Sequence, residues 1–225
     1  MSDEELRADV SRREIVHTAS MPWTPSPAPG VERKRLERLG PVGAGRVTSV
    51  VRYAPGSRFP EHPHPDGEEI LVLEGVFSDD TGDHPAGSYL LNPEGFRHAP
   101  GSEPGCTLFV KLRQYPGLGR RTVRTRITAE AWEPYVAPGI ERVVLYAEPG
   151  HPEQVHALRM SPGVSTGEVD TPGGEELFVL EGACTVDGEV ELGEGSWVRF
   201  PPGSRHRSST ERGCVLYVKK NHLTR

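Results

Sequence analysis

The sequence predicts an all-β protein made of two tandem antiparallel units, each a closed or nearly closed sheet. The first observation behind this is composition: 26 Gly and 22 Pro punctuate 225 residues and leave little room for long helices. The second is pattern, since apolar runs of strand length recur between turn residues. The third is repetition. Glu175–Gly182 echoes Glu68–Gly75 at an offset of 107 residues (68 to 175), and Pro201–His206 echoes Pro93–His98 at 108 (98 to 206). That period is too long for a solenoid and marks a duplicated domain.

Taken in order, residues 1–15 form a lead-in. Ser2 and Glu5 have capping-box spacing, and Leu6 and Val10 stand one helical turn apart, so a short, frayed helix is expected over residues 1–14. Trp23–Gly30 holds three prolines and reads as an extended arm. Val31–Leu39 and Val47–Tyr53 read as strands, Asp79–Asp83 as a turn, and Cys106–Gln114 as the last strand of the first domain, residues 16–116. Tyr115–Arg121 is rich in turn residues and marks the junction to the second domain, residues 117–225. There Trp132–Arg142 echoes Trp23–Arg33, and Gly213–Lys219 echoes Gly105–Lys111. Arg120, Arg121, Arg124 and Arg126 follow the junction. In an acidic chain they read as the charges of a protected edge strand over Thr122–Ile127 rather than as a phosphate site.

Ile70–Leu73 and Leu177–Leu180 are apolar on both faces, whereas a strand solvated on one side alternates. The outer face of each unit is therefore expected to be covered, by the other repeat, by the Trp-Pro arm or by a second subunit in a homodimer.

Chemistry concentrates in the first repeat. His62 and His64 share one face of a period-2 strand, Glu68 opens the next apolar strand, and His98 ends a stretch thirty residues on. Three neutral nitrogens and one anionic oxygen from separate strands make a divalent-metal site. Glu69 competes with Glu68 for the carboxylate role, but alternation lets only one point inward, and Glu68 shares its face with Ile70 and Val72. Asp66 and His84 lie in turns and read as solvated. His and Glu suit Zn, Fe, Mn and Ni alike, with Zn or Fe the first expectation.

These stretches resemble the paired signature motifs of the cupins. Gly56, His62, His64, Glu68 and Gly75 fall on the first motif; Gly87, Pro93, Gly95 and His98 fall on the second, with Ser102 standing where an Asn is expected. The resemblance implies that each unit is a jelly-roll barrel, the double-stranded β-helix, so that the chain is a bicupin. Val51–Ser57, His62–Asp79, Gly87–Tyr89, His98–Pro100 and Leu108–Gln114 look more narrowly like the cupin domain of ChrR-type anti-sigma factors. In that family the metal is usually zinc, on the positions matching His62, His64, Glu68 and His98. The family also contains acetylacetone-cleaving dioxygenases that use Fe(II) held by histidines. ChrR-type proteins bind the sigma factor through a separate N-terminal zinc domain with a His and a CxxC pair. Nothing here corresponds to it, so sigma-factor binding is not expected.

The halves are unequal. Val169 and Thr171 replace the two motif histidines in the second repeat, while Glu175 and His206 remain. Two ligands hold a divalent metal poorly, so the second site reads as metal-free unless His151 or His156 substitutes. Two functions fit: a metal-binding sensor or small-ligand module, and a mononuclear non-heme iron dioxygenase acting on a small dicarbonyl or phenolic substrate. Tyr89, Phe109 and Lys111 are candidates to line its pocket, and no acid or base beyond the ligands stands out.

A net charge of −6 argues against general nucleic-acid binding, and no apolar run reaches membrane-spanning length. The charged N-terminus lacks the apolar core of a signal peptide, and a cytoplasmic protein is expected. Cys106, Cys184 and Cys214 form no CxxC and read as reduced, buried core residues.

Overall fold

The structure is a computed structural model and describes residues 5–117 and 119–224. Among them, the only helical segments are the single turns Thr18–Ser20 and Ala129–Ala131. Everything else regular is strand, and every pairing between named strands is antiparallel.

The chain divides into two compact units. The first comprises Pro22–Arg126 with the start of the chain as far as Ala8; the second comprises Ile127–Arg225 with Asp9–Met21. In the first, the principal sheet runs Val123–Arg126, Ser88–Asn92, Glu68–Asp79, Cys106–Leu112, Arg46–Tyr53, Val31–Leu39, Thr24–Pro25. In the second it runs Glu14–His17, Ser196–Phe200, Glu175–Val186, Cys214–Lys220, Gln154–Met160, Ile140–Ala147, Glu133–Pro134. The order is the same strand for strand. The terminal strand of each sheet, however, is taken from the segment that precedes the other repeat in sequence. Val123–Arg126 lies on Ser88–Asn92 with Thr125 opposite Tyr89, and Glu14–His17 lies on Ser196–Phe200 with Val16 opposite Trp197.

That arrangement corrects the expectation of an N-terminal helix. Ser2, half of the supposed capping box, lies outside the described residues, and residues 5–14 contain no helix. Leu6 exchanges both backbone hydrogen bonds with Arg38 (3.0 and 2.9 Å) and Glu14 already belongs to a strand. A helix of this length with so thin an apolar face does not repay its nucleation, and sheet pairing satisfies the same backbone groups.

Inside each unit the alternate residues of the strands form one core. In the first it is built from Val31, Val51, Tyr53, Ile70, Val72, Phe77, Leu90, Leu108 and Val110; in the second, Ile140, Leu158, Leu177, Val179, Val198, Leu216 and Val218 lie at its heart. The residues between them on the long strands are buried as well: Leu71, Phe109 and Phe178 are each 2 % exposed. Cys106, Cys184 and Cys214 are free and buried, as their apolar surroundings predict. Burial raises the Cys106 thiol to about 11, which keeps it protonated and unreactive. The motif glycine Gly75 has φ +73°, and a Cβ there would strike the Gly105 carbonyl oxygen. Only glycine lets the Glu68–Asp79 and Cys106–Leu112 strands approach this closely.

Candidate metal centre

The site lies inside the first barrel and is assembled by three backbone devices. The short strand His62–Pro63 pairs with Arg97–His98, with His62 directly opposite His98. The His64 amide donates to Phe96 O (2.8 Å), which holds the other motif histidine against the same loop. Past the Asp66–Gly67 turn, where both residues have positive φ, the strand Glu68–Asp79 begins with Glu68 buried beside Ile70 and Val72 on the core face.

The nitrogens of His62, His64 and His98 that would act as ligands lie within 4.8 Å of one another, the one such group of three found among the described residues. His64 Nε2 and His98 Nε2 are 2.9 Å apart, and Glu68 Oε2 stands 3.4 and 3.5 Å from them. The tautomers are set from outside. His62 Nδ1 donates to Pro60 O and His98 Nδ1 donates to Asp79 Oδ2, both at 2.9 Å. Each ring therefore turns an Nε2 lone pair toward the centre, as metal ligation requires. Burial, with the two neighbouring imidazoles, drives the His64 pKa down to about 3, which favours its neutral, metal-ligating form. Burial raises the Glu68 carboxyl, partly opposed by the neighbouring His98 ring and by the hydrogen bond from Asn92 Nδ2 (3.0 Å). Lone pairs converging beside a buried carboxylate are a donor set that a divalent ion satisfies. The residues present fit such an ion.

Several supporting residues escaped the sequence reading. Asp79, read as part of a turn, takes His98 on one oxygen and His84 (3.2 Å) and Thr81 on the other, and these hydrogen bonds hold it below the usual carboxylate range despite burial. His84, expected in solvent, is half-buried against Phe77 (6.1 Å between rings) and reaches the centre only through Asp79. Asn92 links Glu68 to Arg124, whose Nη2 donates to Asn92 Oδ1 at 2.6 Å. Arg124 does sit on an edge strand, yet its guanidinium also lies over Phe96, 5.4 Å from the ring centre. Glu69 faces away from the site and accepts from the Tyr115 hydroxyl. Ser102 donates to Val76 O (2.6 Å), outside the cluster. Asp66 lies near Arg113 (3.5 Å) on the surface. Tyr89, Phe109 and Lys111 do not line the lumen, because their neighbours Leu90, Leu108 and Val110 occupy the inward face; Lys111 Nζ instead donates to Thr48 Oγ1.

The second barrel has solved the same position differently. Val169 lies opposite His206, as His62 lies opposite His98. Here His206 Nε2 donates to Glu175 Oε1 (3.0 Å), and Lys220 Nζ sits 3.2 Å from Glu175 Oε2. Burial alone would raise the Glu175 carboxyl, but the His206 hydrogen bond and the Lys220 charge bring it below its ordinary value. Phe200, at the place of Asn92, stacks on His206 at 3.8 Å. Thr171 spends its hydroxyl on Pro201 O and Ser204. His156 is buried against Tyr135 and joins no group of three metal-binding side chains; neither does His151. His206 and Lys220 thus each take one oxygen of the Glu175 carboxylate, so its charge is met by side chains of the barrel itself.

Residues 11–116 match the family of ChrR cupin-like domains, and residues 120–224 match it again. Comparison with curated proteins gives no match. Among solved structures, a protein from Nostoc punctiforme provisionally described as a dioxygenase superposes with a TM-score of 0.74 at 16% identity, covering 96% of this chain and 85% of its own. Protein Ylba from Escherichia coli gives 0.73 at 16% identity, covering 96% and 94%. The bacterial pirin YhhW from Escherichia coli, solved in complex with nickel(II), gives 0.68 at 13% identity, covering 95% and 100%. At these identities the likeness is one of fold.

Proposed function

This chain belongs to the family of ChrR cupin-like domains, carries the domain twice, and from that membership and the first barrel's geometry we propose a metal-dependent ligand-binding protein, a sensor or small-ligand module. The N-terminal barrel holds one divalent ion on His62, His64, Glu68 and His98. The observation that carries this is the convergence of the three imidazoles within 4.8 Å beside the Glu68 carboxylate. Zinc or iron is the first expectation for this donor set, with manganese or nickel also suited to it. Bound there, the ion supplies a Lewis acid for an oxygen donor. The chain's own residues do the rest: Asp79 and the Pro60 carbonyl orient the imidazoles, and Asn92 holds the carboxylate. His62, half-exposed where His64 and His98 are buried, marks the side from which a small molecule reaches the centre. The second barrel, with His206 and Lys220 on Glu175, is structural or relays occupancy of the first.

Elemental analysis of protein purified without a tag, before and after dialysis against Zn(II) and Fe(II), tests the reading. One equivalent per chain is expected, and a chain that neither carries nor takes up a transition metal overturns it.

A second reading is an iron dioxygenase acting on a small dicarbonyl or phenolic compound. It is favoured by ligand number, since three His and one carboxylate leave two positions of an octahedron for substrate and dioxygen together. Oxygen uptake by Fe(II)-loaded protein with a dicarbonyl panel separates the two: turnover supports the enzyme, and tight binding without uptake supports the sensor.

A further inference from the structure

Arg33 stands apart among the charged side chains of the first barrel. It lies on Val31–Leu39 one period inward from Val31 and directly opposite Val51, with Tyr53 opposite Val31, and those three residues belong to the barrel core. Its Nε is buried without a hydrogen-bond partner, and its guanidinium enters no ion pair among the described residues. Aromatic contacts join its surroundings to the metal centre: Tyr53 packs on Phe59 (5.6 Å) and Phe59 on His62 (5.8 Å), while Tyr53 also meets Phe77 (6.3 Å), which lies 6.1 Å from His98. Burial lowers its pKa while Tyr53 and Glu68 act in the opposite sense, so Arg33 and the Glu68 carboxylate share one electrostatic environment.

The second repeat supplies an internal control. Arg142 is the counterpart of Arg33, and its Nε donates to Glu133 Oε1 at 2.8 Å while its guanidinium covers Tyr135. At the place of Glu133 the first repeat has Thr24, whose hydroxyl donates to the Arg33 carbonyl instead. The acid that neutralises the arginine in the barrel lacking the imidazole cluster is missing in the barrel that has it. Charge points the same way. Around the cluster, Arg33 acts on Glu68, and Arg124 on Asp79 and Glu68. A divalent ion held beside them adds positive charge to a buried site, which an incoming anion relieves.

We propose that the first barrel binds a small carboxylate carrying a second oxygen donor, of the 2-oxo or 2-hydroxy acid class, with Arg33 reading the carboxylate and the second oxygen turned toward the ion. The inference rests on the metal reading of His62, His64, Glu68 and His98. A guanidinium presents a planar fork that matches a carboxylate, and a ligand that occupies it satisfies the buried Nε as a neutral molecule does not.

The test uses the full chain loaded with Ni(II) and titrated calorimetrically with pyruvate, with acetylacetone as the carboxylate-free comparison. Arg33→Gln should weaken pyruvate about 10- to 100-fold, the worth of a hydrogen bond to a charged group. It should leave nickel stoichiometry unchanged and move acetylacetone by less than about threefold. Arg142→Gln should change nothing. Equal pyruvate affinity in wild type and Arg33→Gln, or wild type that binds acetylacetone and not pyruvate, overturns the proposal. Should the chain bind neither nickel nor Zn(II) or Fe(II), the metal reading fails, and a second measurement still decides this one. In protein labelled with 15N-arginine, the Arg33 Nε–H resonance, assigned by its loss in Arg33→Gln or Arg33→Lys, should shift on adding pyruvate with or without metal. An unmoved resonance refutes the role of Arg33.

Discussion

Asp79 Oδ2 lies 2.9 Å from His98 Nδ1, and both side chains are fully buried. This carboxylate sits at the end of a strand and fixes which nitrogen of His98 faces the centre. Asp79→Asn or Asp79→Ala should therefore lower metal affinity about 10- to 100-fold while the four ligands stay in place, since outer partners of ligating histidines carry that much. Calorimetric titration of Zn(II) into wild type and variants checks it. Unchanged affinity would mean that Asp79 serves only the hairpin.

His62→Ala or His64→Ala should abolish tight metal binding by the whole chain, and His206→Ala should leave it nearly intact. His206 Nε2 carries the proton it gives to Glu175, so it offers no lone pair inward. Its loss should cost about 1 kcal/mol of stability, the net worth of a hydrogen bond. Stoichiometry decides the matter. A fall from two metals to one in His206→Ala would make the second barrel a working site.

Lys220→Met should destabilise the second unit, because it leaves Glu175 buried with His206 alone. Breaking a fully buried pair costs more, but Lys220 is about a quarter exposed, so a loss of about 1–3 kcal/mol is expected. The sign with pH follows from the lowered carboxyl. In wild type its contribution is present above the ordinary carboxylate range and fades as pH falls through the lower folded value. Denaturant melts at pH 7 and in acid should show the wild-type advantage at neutral pH shrinking as Glu175 protonates. An advantage that persists in strong acid would assign Lys220 a packing role only.

His156 gives a second acid limb. Burial, with Lys220 nearby and partly offset by Glu175, pushes its pKa down to about 4 from 6.5. The unfolded chain takes up a proton near 6.5 and the folded one only near 4, so stability is lost as pH falls across that window, by up to about 3 kcal/mol. His156→Leu should flatten unfolding free energy between pH 6.5 and 4 without altering metal stoichiometry. An unchanged slope would place the titrating group elsewhere.

Much of this was legible in the sequence because it is local. The spacing of His62, His64, Glu68 and His98 follows from strand alternation and one loop, and the structure brings those side chains together. The strand bounds of Val31–Leu39 were legible for the same reason. What escaped depends on partners far along the chain. Glu14–His17 is too short to announce itself, and its mate begins at Ser196. Asp79 is indistinguishable in sequence from a turn aspartate until the fold brings His98 beside it. Arg124 looked like an edge charge, and only its register against Leu90 shows that it can reach Asn92. Arg33 looked like any strand arginine until Arg142, neutralised by Glu133, showed what it lacks.

The borrowed terminal strands bear on how this protein can be inherited. A gene fragment ending at residue 116 would encode every candidate ligand yet omit Val123–Arg126, leaving Ser88–Asn92 as a bare edge open to intermolecular pairing and Asn92 without Arg124. The mirror fragment starting at residue 120 would lack Glu14–His17 and expose Ser196–Phe200. Recombination at the sequence repeat therefore yields two damaged products, whereas a cut after Arg126 leaves the sheet with the candidate ligands complete. The halves have ceased to be portable cassettes: each depends on a short stretch of reading frame lying outside its own repeat.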